Sequence, residues 1–450
     1  MTEMGALDPS VERWVADVAG GTVTRFERAI ARREAWLVDI ERTDGSTLEG
    51  FLRLALAGDP ANSSAALDKE ARVVRALADS PVPVPRVFGE TRDPHLVLFE
   101  RVPGRSDLHH TPPAQQDAVY RHYLELLGEL HRLDATELDL PPMYQPQDAL
   151  DCALSEVRHL SQGLAGLGPQ PIARFGIGWL TRNAPAHVER VALLHGDSGI
   201  ANFMFVDDRI TAAIDWEWAH FGDPMEDLGS TMIHASYSTS GEWPGLLEHY
   251  ERSSGIPVEL GKVFYYRAHL MVRSVIALAY IRNRLNSRDP VAFNQCVSII
   301  GDRLMCDAIA EAMGIAPERP EVPAVSPDPS WYDVVVDNLR NDIGPAVHGD
   351  YATDLVNTSA LMVETLRRQH ELGPWLESTE LDEIAGIVGH RPADLQAGRA
   401  ELEAFVCAAD GARDEQLVRA LGRIAWRAEV AAAPVVSLFP DVELRPVTRR

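Results

Sequence analysis

Cysteine is scarce in this sequence: Cys152, Cys296, Cys306 and Cys407 are the four in 450 residues. They show neither the paired CxxC spacing of a zinc site nor the density of a disulfide scaffold, so neither staple is expected and a reducing cytoplasm fits. Long apolar runs are missing as well. The oiliest stretch, Ser274 to Ile281, is bounded by Arg273 and Arg282, far short of the roughly 20 residues that a membrane span needs. No apolar signal core follows Met1, so the chain reads as soluble, cytoplasmic and without a membrane partner. Positive charge is the third shortage, with 42 Lys plus Arg against 67 Asp plus Glu and a formal charge of −25. Such a balance repels the phosphates of nucleic acid, which is therefore not an expected partner. What is abundant is apolar residue, 46% of the chain. That suffices for sizeable cores in a few units of about 150 residues each.

Over the first hundred residues strand patterns alternate with turn signals. Val23 to Ile30, Ala35 to Arg42 and Thr47 to Leu54 read as β-strands, the last two joined through Thr43-Asp44-Gly45, which is hairpin punctuation. In "SAALDKEARVVRALA" Leu67, Val74 and Leu77 share one helical stripe, the prolines of "PVPVPRVFGE" force extended chain, and "HLVLFERV" is a strand ending at Pro103-Gly104. From Gln115 long helical patterns take over, broken only by strands at Val191 to Leu194, Phe203 to Val206 and Ile210 to Ile214. Ala316 to Ser330 holds five prolines and reads as a linker. Past it, Val335, Leu339 and Ile343, then Met362 and Leu366, then Leu417, Leu421 and Ile424 recur at helical spacing. The expected organisation is an α+β chain: a small antiparallel-sheet lobe over 1–104, a helical lobe over 105–315, the linker 316–330, and an extra all-helical domain over 331–450.

Chemistry concentrates in "LLHGDSGIANFMF", Leu193 to Phe205. Phosphoryl transfer asks a protein for a carboxylate that orients or deprotonates the attacking hydroxyl, and for oxygen ligands that hold Mg²⁺ against the nucleotide phosphates. Asp197, followed five positions later by Asn202, has the Asp-x-x-x-x-Asn spacing of a kinase catalytic loop. Thirteen residues further, "AIDWEW" puts Asp215 at the end of an apolar strand, where a second magnesium ligand belongs. The chain supplies its own control in "VHGDYATDLVN". There Asn357 is seven residues from Asp350, no strand precedes, and no Ile-Asp-Trp follows, so that triplet reads as a helix start with Asp350 as N-cap. His109 and His110 lack Asp, Glu or Cys at ligand spacing and read as loop, and Trp216 and Trp218 read as core.

Glu70 falls on the apolar stripe of Leu67, Val74 and Leu77, where an unpaired carboxylate is costly. Arg53, in the strand "GFLRLAL", is its natural partner, as in the strand-to-helix ion pair that fixes nucleotide phosphates in kinases. The alternative is a surface arginine beside a half-exposed glutamate.

Taken together, "LLHGDSGIANFMF", "AAIDWEWAHFGDPMEDLG" and "LVLFERVPG" resemble the aminoglycoside phosphotransferase and choline kinase-like family, over about residues 20–310. The resemblance implies a two-lobed protein-kinase-like fold and a small-molecule kinase that uses ATP or GTP with Mg²⁺. It implies Asp197 as catalytic base, Asn202 and Asp215 as magnesium ligands, and Arg53 and Glu70 at the nucleotide phosphates. It further implies a hinge meeting the purine at Glu100, Arg101 and Val102, and support of the catalytic loop by His195, Asp223 and Asp227. Two departures stand out: arginine rather than the commoner lysine at position 53, and no glycine-rich turn between the first two strands.

The helix pattern from Gly261 to Leu285 carries Lys262, Arg267, Arg273, Arg282 and Arg284 and no acid. Arg267 and Arg273 are thus candidate substrate contacts, or else partners of lobe acids, Arg273 with Asp227 for example. A basic, oily helix suits an anionic or apolar acceptor, and the chain resembles the branch of the family associated with acyl-CoA metabolism, where hydroxyacyl thioesters are plausible acceptors. The alternatives are an aminoglycoside or macrolide antibiotic as acceptor, and a nucleotide-binding pseudokinase or regulatory scaffold. A pseudokinase would normally have lost Asp197, Asn202 or Asp215.

Overall fold

A computed structural model describes residues 9–29, 35–55, 63–108, 111–237, 242–283, 290–445 and 447. His109, His110, Arg284 and Ile30, the last residue of the first expected strand, lie outside them. In chain order the elements that matter below are α1 (Pro9–Ala19), β1 (Gly21–Arg28), β2 (Ala35–Arg42), β3 (Thr47–Leu54), α2 (Ser64–Leu77), β4 (Val87–Arg92), β5 (His95–Glu100), α3 (Pro113–Arg132), α4 (Ala149–Ser161) and α5 (Pro171–Arg182). They continue with β6 (Ala192–Leu194), β7 (Phe203–Val206), β8 (Arg209–Ala213), β9 (His220–Gly222), α6 (Met225–His234), α7 (Trp243–Ser254), α8 (Leu260–Arg282), α9 (Val291–Ala312), α10 (Trp331–Asp337), α11 (Asp350–Val388), α12 (Leu395–Ala408) and α13 (Asp414–Ala431). Two compact units result, each gathered from three stretches of chain: Met1–Tyr144, Ala192–Phe221 and Ser240–Ile256 form one, and Gln145–Val191, Gly222–Thr239 and Pro257–Arg450 the other.

The first unit is built on an antiparallel sheet of order β1-β2-β3-β5-β4. The hairpin between β2 and β3 turns where the sequence suggests. Asp44 accepts from the Ser46 amide at 2.9 Å, and Gly45 takes φ 81, a left-handed value that suits glycine. Alternate residues Trp36, Val38 and Ile40, with Leu48, Leu52, Leu96 and Leu98, turn one face of the sheet onto Val11 and Val15 of α1. The strand-and-turn pattern of the lobe gives no sign of that helix. α2 starts at Ser63, whose hydroxyl accepts from the Ala66 amide at 3.2 Å, a side-chain N-cap.

In the second unit α8 packs along α9 and α6, while α13 lies on α9 and α12 on α5. The compact units thus follow other lines than the boundaries at 104, 315 and 330: residues 331–450 share a unit with α8 and α9. The proline-rich segment is not a free tether either. Glu318 takes Arg419 at 2.9 Å and Arg423 at 2.6 Å, Arg319 reaches Asp307 at 2.6 Å, and the Trp426 indole donates to the Pro320 carbonyl at 3.0 Å. Proline density reports the want of helix and strand there, and says nothing of side-chain contacts. At the second His-Gly-Asp triplet a helix does begin, but Gly349, at φ 91, holds the cap position and Asp350 is the first helical residue. The four cysteines are free thiols, three of them buried.

Candidate active site

β6 delivers the chain into His195, Gly196 and Asp197, and the β7–β8 hairpin returns it to Asp215. Gly196 sits at φ 79, and a Cβ there would stand 2.2 Å from the Trp218 carbonyl oxygen. Only glycine lets the two loops approach this closely. His195, buried, bridges them: its Nε2 lies 2.9 Å from the Ile214 carbonyl and its Nδ1 3.4 Å from the Asp197 amide. The carbonyl can only accept and the amide only donate, which assigns the Nε2–H tautomer.

Asn202 ties the same loops a second time. Its Nδ2 donates to the Asp197 backbone carbonyl at 2.7 Å and to Asp197 Oδ2 at 2.9 Å, while its backbone carbonyl accepts from the Ile214 amide at 2.9 Å. Both bonds of the amide nitrogen therefore face Asp197, which turns Oδ1 away from it. Asp215 is half-buried and left-handed at φ 66 and ψ 55, followed by buried Trp216, whose indole donates to the Ala213 carbonyl at 3.0 Å. An amide oxygen and a carboxylate are the hard oxygen donors that Mg²⁺ takes, so this pair fits that ion. The structure brings Asp197 and Asn202 into contact and joins Asn202 to the residue before Asp215.

Arg53 and Glu70 are both buried, with Nη1 3.1 Å from Oε2 and 3.4 Å from Oε1. The expected strand-to-helix pair is formed, with Leu67, Val74 and Leu77 buried around the glutamate's helix. In the segment after β5, the Glu100 amide donates to the Arg86 carbonyl at 2.8 Å and its carboxylate accepts from the Arg86 amide at 3.0 Å. The Arg101 amide donates to the Glu49 carbonyl at 3.1 Å, and its guanidinium pairs with Asp39 and Glu49, each at 2.8 Å. Both side chains are committed to their own sheet.

Asp223, Asp227, Arg267 and Arg273 belong to the second unit. Asp223 Oδ1 accepts at 3.0 Å from the amide of Met225, the first residue of α6, although Pro224 holds the cap position, and Oδ2 takes Lys262 at 3.1 Å. Burial raises the Asp223 carboxyl against the pull of the Met225 amide and Lys262. Lys262 also holds Glu259 at 2.6 Å, and Glu259 in turn meets His187 at 2.9 Å. Asp227 is fully buried within α6. For Arg267 and Arg273 the structure matches the second of the two readings, partners of acids, with Glu226 and not Asp227 on Arg273: both are fully buried, Arg267 on Glu311 and Arg273 on Glu226, each at 2.5 Å. Guanidiniums spent on internal carboxylates cannot receive an anionic acceptor without leaving a buried charge behind. The acids that neutralise α8 lie on other elements, invisible to a scan of the helix alone. Ser198 and Tyr123, which no motif spacing singles out, also meet at this loop, the Tyr123 hydroxyl lying 3.0 Å from Ser198 Oγ.

A family model described as "Phosphotransferase enzyme family" matches residues 25–268, more than half of the chain. Among curated relatives, the Arabidopsis thaliana protein named "Probable acyl-CoA dehydrogenase IBR3" is 29% identical over 239 residues, covering 48% of this chain and 29% of the relative. "Acyl-CoA dehydrogenase family member 11" of Rattus norvegicus is 27% identical over 209 residues, covering 43% of this chain and 26% of the relative. The chain thus spans about a third or less of these relatives' length. Among solved structures, a Ralstonia eutropha protein provisionally named an aminoglycoside phosphotransferase superposes with a TM-score of 0.51 at 19% identity, over 67% of this chain and 98% of that one. That likeness shows a kinase-like fold. No helix among the described residues is long and apolar enough to cross a membrane. With the matched span running from within β1 through the Asp197 loop and beyond, the chain belongs to the phosphotransferase enzyme family.

Proposed function

We propose that this chain is a small-molecule kinase in which Asp197 is the base, Asn202 and Asp215 hold Mg²⁺, and the acceptor is the hydroxyl of a hydroxyacyl thioester or a related anionic or apolar metabolite. The observation that carries the assignment is the Asn202 amide, whose nitrogen is fixed on both the backbone carbonyl and the carboxylate of Asp197. When bound, the ion would neutralise charge developing on the phosphates of ATP or GTP. Asp197 takes the proton of the acceptor hydroxyl as the new O–P bond forms and the bond from the γ-phosphorus to the bridging oxygen breaks, releasing the nucleoside diphosphate. Arg53, kept in place by Glu70, is the cation for the nucleotide phosphates, and the backbone around Val102 meets the purine.

With the α8 charges neutralised internally, support for the acceptor class comes from the relatives, whose names denote acyl-CoA dehydrogenases. The test is a screen of hydroxyacyl-CoAs, aminoglycosides and macrolides with ATP or GTP and Mg²⁺, read by mass for gain of one phosphoryl group. A product from a hydroxyacyl-CoA alone is expected. Antibiotic phosphorylation with no thioester product would overturn the acceptor, and nucleotide binding with no turnover on any acceptor or water would favour a pseudokinase.

Asn202→Ala and Asp215→Ala are each expected to raise the Mg²⁺ concentration for half-maximal turnover at least about tenfold, because Mg²⁺ tolerates few substitutes for an oxygen ligand. A metal titration of turnover decides it. Unchanged magnesium dependence in both variants would place the ligands elsewhere.

A further inference from the structure

Tyr123 of α3 touches the Asp197 loop at two places. Its hydroxyl lies 3.0 Å from Ser198 Oγ, and its ring centroid is 4.4 Å from that of Phe203. Ser198 directly follows Asp197, and Phe203 directly follows Asn202. Tyr123 is 1% exposed and Ser198 and Phe203 are fully buried, so no water can replace the hydroxyl contact without opening the core. Between these two points runs the Asn202–Asp197 bond. The loop is therefore gripped from α3 at both ends of the segment that carries its two working side chains.

We propose that Tyr123 is a positioning residue for phosphoryl transfer, acting through Ser198 to fix the direction of the Asp197 carboxylate. The inference rests on the kinase assignment made above. Removing the hydroxyl in Tyr123→Phe keeps the ring on Phe203 but takes away its bond to Ser198, the residue that follows Asp197. A base displaced by a fraction of an ångström loses rate without losing nucleotide affinity, since misplacement of about 1 Å can cost roughly 10²-fold.

The experiment uses the full chain and Mg·ATP hydrolysis, with water as acceptor, in the wild type, Tyr123→Phe, Ser198→Ala and the double variant. The expected result is a kcat lowered about 10- to 100-fold in each single variant, with KM for Mg·ATP within about twofold of wild type. The double variant should be no slower than the slower single one, because both changes break one contact. A purely structural contact would instead lower the melting temperature and leave kcat per folded molecule, measured by nucleotide-site titration, unchanged. Wild-type kcat in the singles, or losses that multiply in the double variant, would overturn the proposal. Should Tyr123→Phe fail to fold, Ser198→Ala alone decides, by the same kcat-against-KM comparison. A wild-type chain that transfers phosphate from ATP with Mg²⁺ neither to water nor to any acceptor of the screen would overturn the kinase assignment itself, an outcome distinct from an active wild type with an equally active Tyr123→Phe.

Discussion

Asp197→Ala is expected to lower turnover by roughly 10²- to 10⁴-fold, the range for losing a positioned base, while fold and nucleotide binding survive. The survival follows from the contacts. Asn202 would keep its 2.7 Å bond to the backbone carbonyl of residue 197, and His195 would keep the Ile214 carbonyl, so the two loops stay joined by bonds that do not use the lost carboxylate. Steady-state kinetics beside a nucleotide-binding isotherm separates the two effects. Turnover at the wild-type level would remove Asp197 from the base role, and loss of nucleotide binding together with turnover would make it a structural residue.

A chain ending near Pro320 is expected to be insoluble where the full chain is soluble, because such a cut passes through one core. Arg303, 1% exposed on α9, donates to Glu429 at 2.6 Å, to Asp307 at 2.9 Å and to the Val442 carbonyl at 2.6 Å. Two of these three partners lie past the cut. Breaking a buried pair by removing one side costs about 3–5 kcal/mol, against a total stability of about 5–15 kcal/mol for a typical domain. The cut also strips α9 of α13, whose Leu417 and Leu421 are fully buried, and α5 of α12. Exposed apolar helix faces of that size lead to association. Soluble expression followed by size exclusion and thermal melting of both chains tests this. A monomeric fragment that melts cooperatively at the temperature of the full chain would show that the tail is dispensable for folding.

Strands β2 and β3 end where their sequence patterns end, because alternation along a half-buried strand and the turn chemistry of Asp44-Gly45 are local properties. The Arg53–Glu70 pair was legible for a different reason: a carboxylate in an apolar stripe demands a cation, and the strand offered one. The Asp197-to-Asn202 spacing was legible because a tight loop lets five residues span a single hydrogen-bonded contact. What stayed hidden depends on partners far along the chain. Glu226 and Glu311 neutralise Arg273 and Arg267, and nothing within α8 announces them. Helix periodicity in the tail revealed its helices but not that α13 lies on α9, since an apolar stripe does not name the surface that covers it. α1 leaves a fainter mark: its buried Val11, Val15 and Ala19 stand at helical spacing, but over 11 residues only.

The backbone of Asp215 carries a consequence for anyone who would make this chain more robust. At φ 66 a residue with a Cβ is held in a region that costs about 1–2 kcal/mol, which glycine would not incur and which aspartate and asparagine tolerate better than most. Judged by thermal tolerance alone, position 215 invites glycine, and a search for hardier variants would be drawn to it. On the proposed assignment that exchange would discard a metal ligand, so gains in heat resistance and losses of phosphate transfer would arrive in the same clone. Selection for turnover would keep a carboxylate there at the expense of local backbone comfort, which makes this single left-handed residue a place where durability and catalysis compete.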